Sequence, residues 1–178
     1  MRALSAGLAC LAASAALAGP MTGDRVVYLQ DLDGTRIAVG DVAFDADGGY
    51  RLTMREEQFT DHFLSMRPFK CLDGQEKTWC HVPYPYENRN RIAANDLTDL
   101  EYDLLFLWKR SNEYGINMWN GVYYDLSIVE GRIEGRLHEM DMDVLSAPPD
   151  AGDLRPVRDV HLEPGEPEGH WLPYLVIE

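Results

Sequence analysis

Residues 116–141 constrain the fold of this chain more than any other stretch, because their apolar side chains recur at alternate positions. The alternating residues are Ile116, Met118, Val122, Tyr124, Leu126 and Ile128. A period of two is typical of a β-strand with one buried face. Glu130-Gly131 follows as a two-residue turn, since glycine readily adopts a positive φ. The pattern therefore predicts a long antiparallel β-hairpin.

One register makes both faces of this hairpin chemically consistent, and it starts by pairing Val129 with Arg132. The apolar face then pairs Ile128 with Ile133, Leu126 with Gly135 and Tyr124 with Leu137, and the other face pairs Asp125 with Arg136 and Tyr123 with His138. Opposite charges and aromatic neighbours stabilise a cross-strand ladder. We therefore predict this register.

Strand patterns dominate the rest of the chain. Residues 25–55 predict three or four short antiparallel strands separated by Asp-Gly and Gly-Gly turns. Residues 55–70 fit either a helix or a strand, and we favour a loop with a helical turn that leads into a strand. Residues 102–108 are apolar on both faces after Asp103, which is typical of a central strand. We predict a mainly β fold: an antiparallel meander of about eight strands that forms a small barrel, a half-barrel or a sandwich.

Three segments follow from composition. Residues 1–18 have one arginine, an apolar Ala/Leu run and Ala-Leu-Ala before Gly-Pro, which is the layout of a cleaved signal peptide. Residues 19–145 form the predicted antiparallel β domain. Residues 146–178 are rich in proline and predict an extension packed on that domain, with residues 174–177 as a docking segment or a last strand. The shape expected is similar to that of lipocalin barrels, although no lipocalin sequence motif is present.

Loss of the leader would remove Cys10 and leave Cys71 and Cys80 as the only cysteines. In an exported chain such a pair is expected to form a disulfide. Closing this short loop would contribute about 2–3 kcal/mol in the loop-entropy model.

The formal net charge of −14 argues against several partners. An acidic surface repels phosphate backbones and anionic headgroups, so we expect neither nucleic-acid binding nor membrane insertion after cleavage. The sequence predicts a periplasmic or extracellular protein with no cofactor.

Aromatic and amide side chains beside the two central strands are the best candidates for a binding site. They are Trp108, Trp119, Asn120, Tyr124 and His138. Aromatic faces with nearby amide donors line many small-ligand cavities. Aromatic side chains of a β-sheet more often belong simply to its core.

Motifs of common enzymes are absent from the sequence: there is no glycine-rich phosphate loop, Gly-x-Ser-x-Gly elbow or His-Glu-x-x-His helix. The string around Asp31, Asp33, Gly34 and Thr35 resembles the first motif of haloacid dehalogenase-like phosphatases. That resemblance implies a nucleophile at Asp31 and a general acid at Asp33, beside magnesium. Asp33-Gly34 also suits a β-turn, and strands rather than helices follow it.

A second acidic candidate is the pair Glu139 and Asp141, which would share one face of a strand and could support metal-assisted hydrolysis. An ordinary solvated strand end explains the same pair. We therefore predict an exported, non-enzymatic β-barrel-like protein that binds a small ligand or an envelope protein. The alternative is a phosphatase-like or metal-assisted hydrolase.

Overall fold

A computed structural model describes residues 20–65 and 68–178 of the chain. The predicted signal peptide, residues 1–18, lies outside the described residues. Within the described part, no helix is long and apolar enough to cross a membrane.

The described chain folds into one antiparallel sheet of eleven strands, which confirms the predicted mainly β fold class. The strands are β1 (Gly23–Gln30), β2 (Arg36–Phe44), β3 (Tyr50–Met54), β4 (Thr60–Phe63), β5 (Pro68–Asp73), β6 (Lys77–His81), β7 (Phe106–Arg110), β8 (Gly121–Val129), β9 (Arg132–Met140), β10 (Glu163–Pro164) and β11 (Tyr174–Ile177). One α-helix, α1 (Thr98–Asp103), precedes β7. Short 3₁₀ turns lie at Glu56–Gln58, Met118–Asn120, Met142–Leu145, Asp159–His161 and Pro167–Gly169.

The last strand, β11, lies in the middle of the sheet. The spatial order is β3-β2-β1-β11-β9-β8-β7-β6-β5-β4, with β10 paired to β9. On one side Val27 of β1 pairs with Ile177, and on the other Ile133 of β9 pairs with the same residue. The end of the chain therefore joins an N-terminal meander, β1 to β3, to a second meander, β4 to β9. The sheet is not closed, which fits the predicted half-barrel or sandwich rather than a closed barrel.

The central hairpin has the predicted register along its whole length. Val129 pairs with Arg132, and the ladder continues to Gly121 opposite Met140. Glu130 and Gly131 both have positive φ, at 50° and 82°, as a two-residue type I′ turn requires. The predicted register and turn are confirmed, but the strand is shorter than the alternation indicates: β8 begins at Gly121, Met118 lies in a 3₁₀ turn and Ile116 precedes that turn.

Two apolar cores lie on opposite faces of the sheet, because β7 and β8 send alternate side chains to each face. Phe106 and Tyr124 belong to a large core that also contains Trp79 and most of the buried aliphatic residues. Leu107 and Tyr123 belong to a smaller core with Tyr84, Tyr102, Met142 and Val157. The smaller core is covered by α1 and by irregular segments rather than by strands. The predicted central strand, residues 102–108, is shorter in the structure, because Tyr102 and Asp103 end α1 and β7 begins at Phe106. Residues 104–107 are buried, as expected of a central strand, whereas Trp108 is half-buried.

Cys71 and Cys80 form the predicted disulfide. They are direct cross-strand partners on β5 and β6, and both are fully buried. Residues 55–70 contain both of the structures that the sequence allowed, a helical turn and strands. The 3₁₀ turn Glu56–Gln58 is followed by β4 and then by β5.

Because β11 is central, we predict that two leucine-to-alanine substitutions lower the free energy of unfolding by different amounts. Leu175 is fully buried in the large core, so Leu175→Ala should lower the free energy of unfolding by about 2–5 kcal/mol. Leu32 is 49% exposed at a hairpin tip, and Leu32→Ala should change it by about 0.5 kcal/mol or less. Urea denaturation followed by tryptophan fluorescence compares the two variants. Equal stabilities would contradict a central β11.

Candidate functional site

A cavity of about 750 Å³ lies between α1, the central hairpin and the C-terminal tail. We call it the Glu101 cavity. Residues 94–98 and Glu101 form one wall; Tyr123, Asp125, Leu126, Ser127, Ile128 and His138 form the hairpin wall; Val157, Arg158, Asp159, Leu162 and Pro164 form the tail wall. This volume lies within the range of about 300–1,000 Å³ that is usual for small-molecule sites.

Strand β8 is paired unequally on its two sides, and this asymmetry positions Glu101. β9 pairs with every residue of β8, whereas β7 pairs only with Gly121 and Val122. An unpaired backbone N–H in a buried position is unfavourable. The backbone N–H of Leu126 instead donates to Oε1 of Glu101, at 2.9 Å. The carboxyl group of α1 thus takes the place of a neighbouring strand.

Glu101 is only 6% exposed, and its carboxyl group has two donors. Besides the Leu126 N–H, the hydroxyl of Tyr123 donates to Oε2. Burial raises the pKa of Glu101 to about 7, although both hydrogen bonds act to lower it, and the nearby carboxylates Asp125 and Asp96 raise it further. A carboxyl group that titrates near neutral pH in a cavity is typical of a functional site.

Arg155 and Tyr102 fix the tail wall to α1. The guanidinium of Arg155 donates to Asp96 at 2.7 Å and to Asp99 at 2.5 Å. The backbone N–H of Val157 donates to the hydroxyl of Tyr102 at 2.9 Å. Because Asp99 is buried, losing this pairing would leave its carboxyl group without its guanidinium partner. The cavity therefore has two walls that are held at a fixed separation.

The cavity has an excess of negative charge when the side chains that form ion pairs are left out of the count. Asp96 is paired with Arg155, and Arg158 donates to Asp153 at 2.7 Å. The carboxylates of Asp125 and Asp159 are exposed, and within the described chain neither forms an ion pair. Asp125 lies opposite Arg136 in the ladder, as predicted, but the two side chains are not within ion-pair distance.

The structure does not bring the five predicted binding residues into one cavity. His138 lines the Glu101 cavity, and Trp119 lines a separate groove with Glu139. Tyr124 is fully buried in the large core, where its hydroxyl donates to the carbonyl of Leu172 at 2.7 Å. Trp108 packs at the edge of that core, with Nζ of Lys77 4.3 Å from its ring centre. Asn120 ends the 3₁₀ turn that carries Trp119.

The two acidic pairs of the hydrolase alternative lie on different elements, Asp31 and Asp33 in the β1–β2 turn and Glu139 and Asp141 at the end of β9. Asp31 accepts from the backbone N–H of Thr35 at 2.8 Å, and Asp33 lies exposed in the same hairpin turn. Oε1 of Glu139 lies 2.7 Å from Nε2 of His170, and Asp141 accepts from the backbone N–H of residue 143. Among residues 20–65 and 68–178, no three His, Cys, Asp or Glu side chains are placed to hold a metal ion.

Glu101 was not among the residues selected from the sequence, where it is one acid in a short helical turn. The sequence signal that could have indicated Glu101 is its position between Leu100 and Tyr102, because these two neighbours are buried in the two different cores.

Comparisons with protein-family models, with curated proteins and with solved structures found no match. The function must therefore be argued from the chemistry of the site.

Replacing the buried acid by its amide tests the environment of Glu101. In the unfolded chain its pKa is near the ordinary 4.5, and in the folded chain it is about 7. The protonated form therefore stabilises the fold below about pH 4.5, and this contribution is lost as pH rises through 7. The loss amounts to about 3 kcal/mol. Glu101→Gln removes the titration, while its amide still accepts from Leu126 and donates to Tyr123.

Urea denaturation between pH 4 and pH 8 should therefore show the variant gaining about 3 kcal/mol relative to the wild type as pH rises. Glu57→Gln, at an exposed position, serves as the control and should keep a constant difference. Parallel profiles for the Glu101 variant and the wild type would contradict the buried, raised-pKa carboxyl group.

Proposed function

We propose that the protein is an exported, non-enzymatic binding protein, and that its ligand is a small organic cation held in the Glu101 cavity. The observation that carries the proposal is the buried carboxyl group of Glu101 in the wall of a cavity that also holds two carboxylates, Asp125 and Asp159, without an ion pair among the described residues. Charge complementarity selects a positively charged occupant.

Polar groups around these carboxylates suit an amine that carries several N–H donors. Hydroxyls of Thr98 and Ser127 line the same cavity, and an ammonium group has three donors to distribute among acceptors. Among the described residues, Arg158 is the one Lys or Arg that lines the cavity, and its guanidinium donates to Asp153. An anionic ligand would meet the unpaired carboxylates without a free cation to balance its charge.

The raised pKa of Glu101 gives the binding reaction a proton linkage. A cation near the carboxyl group favours its ionised form, so binding near pH 7 releases a proton. Affinity should therefore increase as pH rises through 7. Below that pH it should fall by up to about tenfold per unit.

Export of the protein is supported by the predicted leader and by the Cys71–Cys80 disulfide, since disulfides persist in oxidising compartments. Binding rather than catalysis is supported by the absence of common enzyme motifs from the sequence.

Isothermal titration calorimetry with a matched pair of probes tests the proposal. Putrescine and 1,4-butanediol have the same carbon chain and differ in charge. We expect putrescine to bind at pH 8 and butanediol not to bind. Asp125→Asn should weaken putrescine binding about fivefold or more, because it removes one unpaired carboxylate. Asp24→Asn removes the same charge at an exposed position in β1 and should have little effect.

Two further readouts separate the cavity from general charge attraction. Wild-type affinity should drop between pH 8 and pH 6, and Glu101→Gln should abolish that drop. Equal binding of the diamine and the diol, or equal effects of the Asp125 and Asp24 variants, would refute a cation site in this cavity.

A further inference from the structure

A second depression, of about 520 Å³, lies on the other side of the 3₁₀ turn Asp159–His161. We call it the Trp119 groove. It is lined by Trp119, Glu139, Met140, Asp141, Val144, Val160, His161 and Glu163. The turn separates the two depressions, because Asp159 lines the Glu101 cavity whereas Val160 and His161 line the groove. The groove is therefore a distinct surface.

Two apolar side chains of the groove are left in solvent. Trp119 is 72% exposed and Val160 is 86% exposed. The backbone that presents Trp119 is held by the side chain of Asn117, which accepts from the Trp119 N–H at 3.2 Å. A large aromatic ring that is exposed on an ordered turn is typical of a contact site for a partner.

The groove also concentrates negative charge. Glu139 and Glu163 are direct cross-strand partners on β9 and β10, and like charges in that position are unfavourable. Asp141 adds a third carboxylate, and in the part of the chain that the structure describes no Lys or Arg lines the groove. The polar contact of Glu139 is His170, whose pKa is lowered by burial in spite of that carboxylate. A neutral imidazole donates a hydrogen bond but leaves the charge of Glu139 in place.

From these contacts we infer that the Trp119 groove binds a basic, partly apolar segment of another protein. A lysine or arginine of that segment relieves the repulsion between Glu139 and Glu163, and its cation can lie over the face of the Trp119 ring. Apolar neighbours in the segment cover Val160. This inference does not depend on the ligand of the Glu101 cavity.

Fluorescence anisotropy with labelled peptides tests the inference. The probe is a fluorescein-labelled nonapeptide that alternates lysine and leucine, with glutamate–leucine and lysine–serine versions as controls. Only the lysine–leucine peptide should bind well. Trp119→Ala should weaken that binding by about fivefold or more. Phe63→Ala should not, although Phe63 is equally exposed, at 72%, on β4.

Charge variants complete the test. Glu163→Gln should weaken binding severalfold, and Glu57→Gln, an exposed acid outside the groove, should not. Glu101→Gln should leave peptide binding unchanged. This variant therefore distinguishes peptide binding in the Trp119 groove from cation binding in the Glu101 cavity. The inference is overturned if the Trp119 and Phe63 variants behave alike, if the glutamate–leucine peptide binds as well, if no peptide binds, or if putrescine displaces the peptide, since a small cation would then be the occupant.

Discussion

The insertion of β11 between β1 and β9 is the interaction on which the rest of the structure depends. Four residues, Tyr174–Ile177, supply the backbone ladder that joins an N-terminal meander to a second meander. Leu175 and Ile177 are fully buried in the core that both meanders share. Because an edge without a partner exposes unpaired N–H and C=O groups, each meander alone would present an open strand at this seam. The sheet is therefore complete only when the end of the chain is in place.

The path of the chain to this central position builds the candidate site. After β9 the backbone crosses the second face of the sheet, where Val157 joins the smaller core and Arg155 binds Asp96 and Asp99. The same crossing leaves the Glu101 cavity between α1 and the tail. It also places the 3₁₀ turn Asp159–His161 between that cavity and the Trp119 groove. One structural requirement thus produces both acidic depressions.

Local patterns predicted the elements of this fold better than their long-range arrangement. The hairpin register followed from alternation and from the Glu130-Gly131 turn, since both act over neighbouring residues. The burial of residues 104–107 was also predictable. The position of β11 in the sheet was not predictable, because the apolar pattern of residues 174–177 does not indicate which strands they pair with. Of the site, His138 was selected from its aromatic pairing, but Glu101 was not, because its burial depends on β7 leaving β8 after Val122.

The central claim is that Glu101 is a buried carboxyl group poised for a cationic ligand, and ¹³C NMR titration of that carboxyl carbon tests it most directly. The resonance, assigned with Glu101→Gln, should titrate with a midpoint near the pKa of about 7 in the free protein. Saturating putrescine should lower the midpoint, because the ligand binds the ionised form more tightly. A midpoint near the ordinary value of 4.5, or one that putrescine leaves unchanged, would contradict the account.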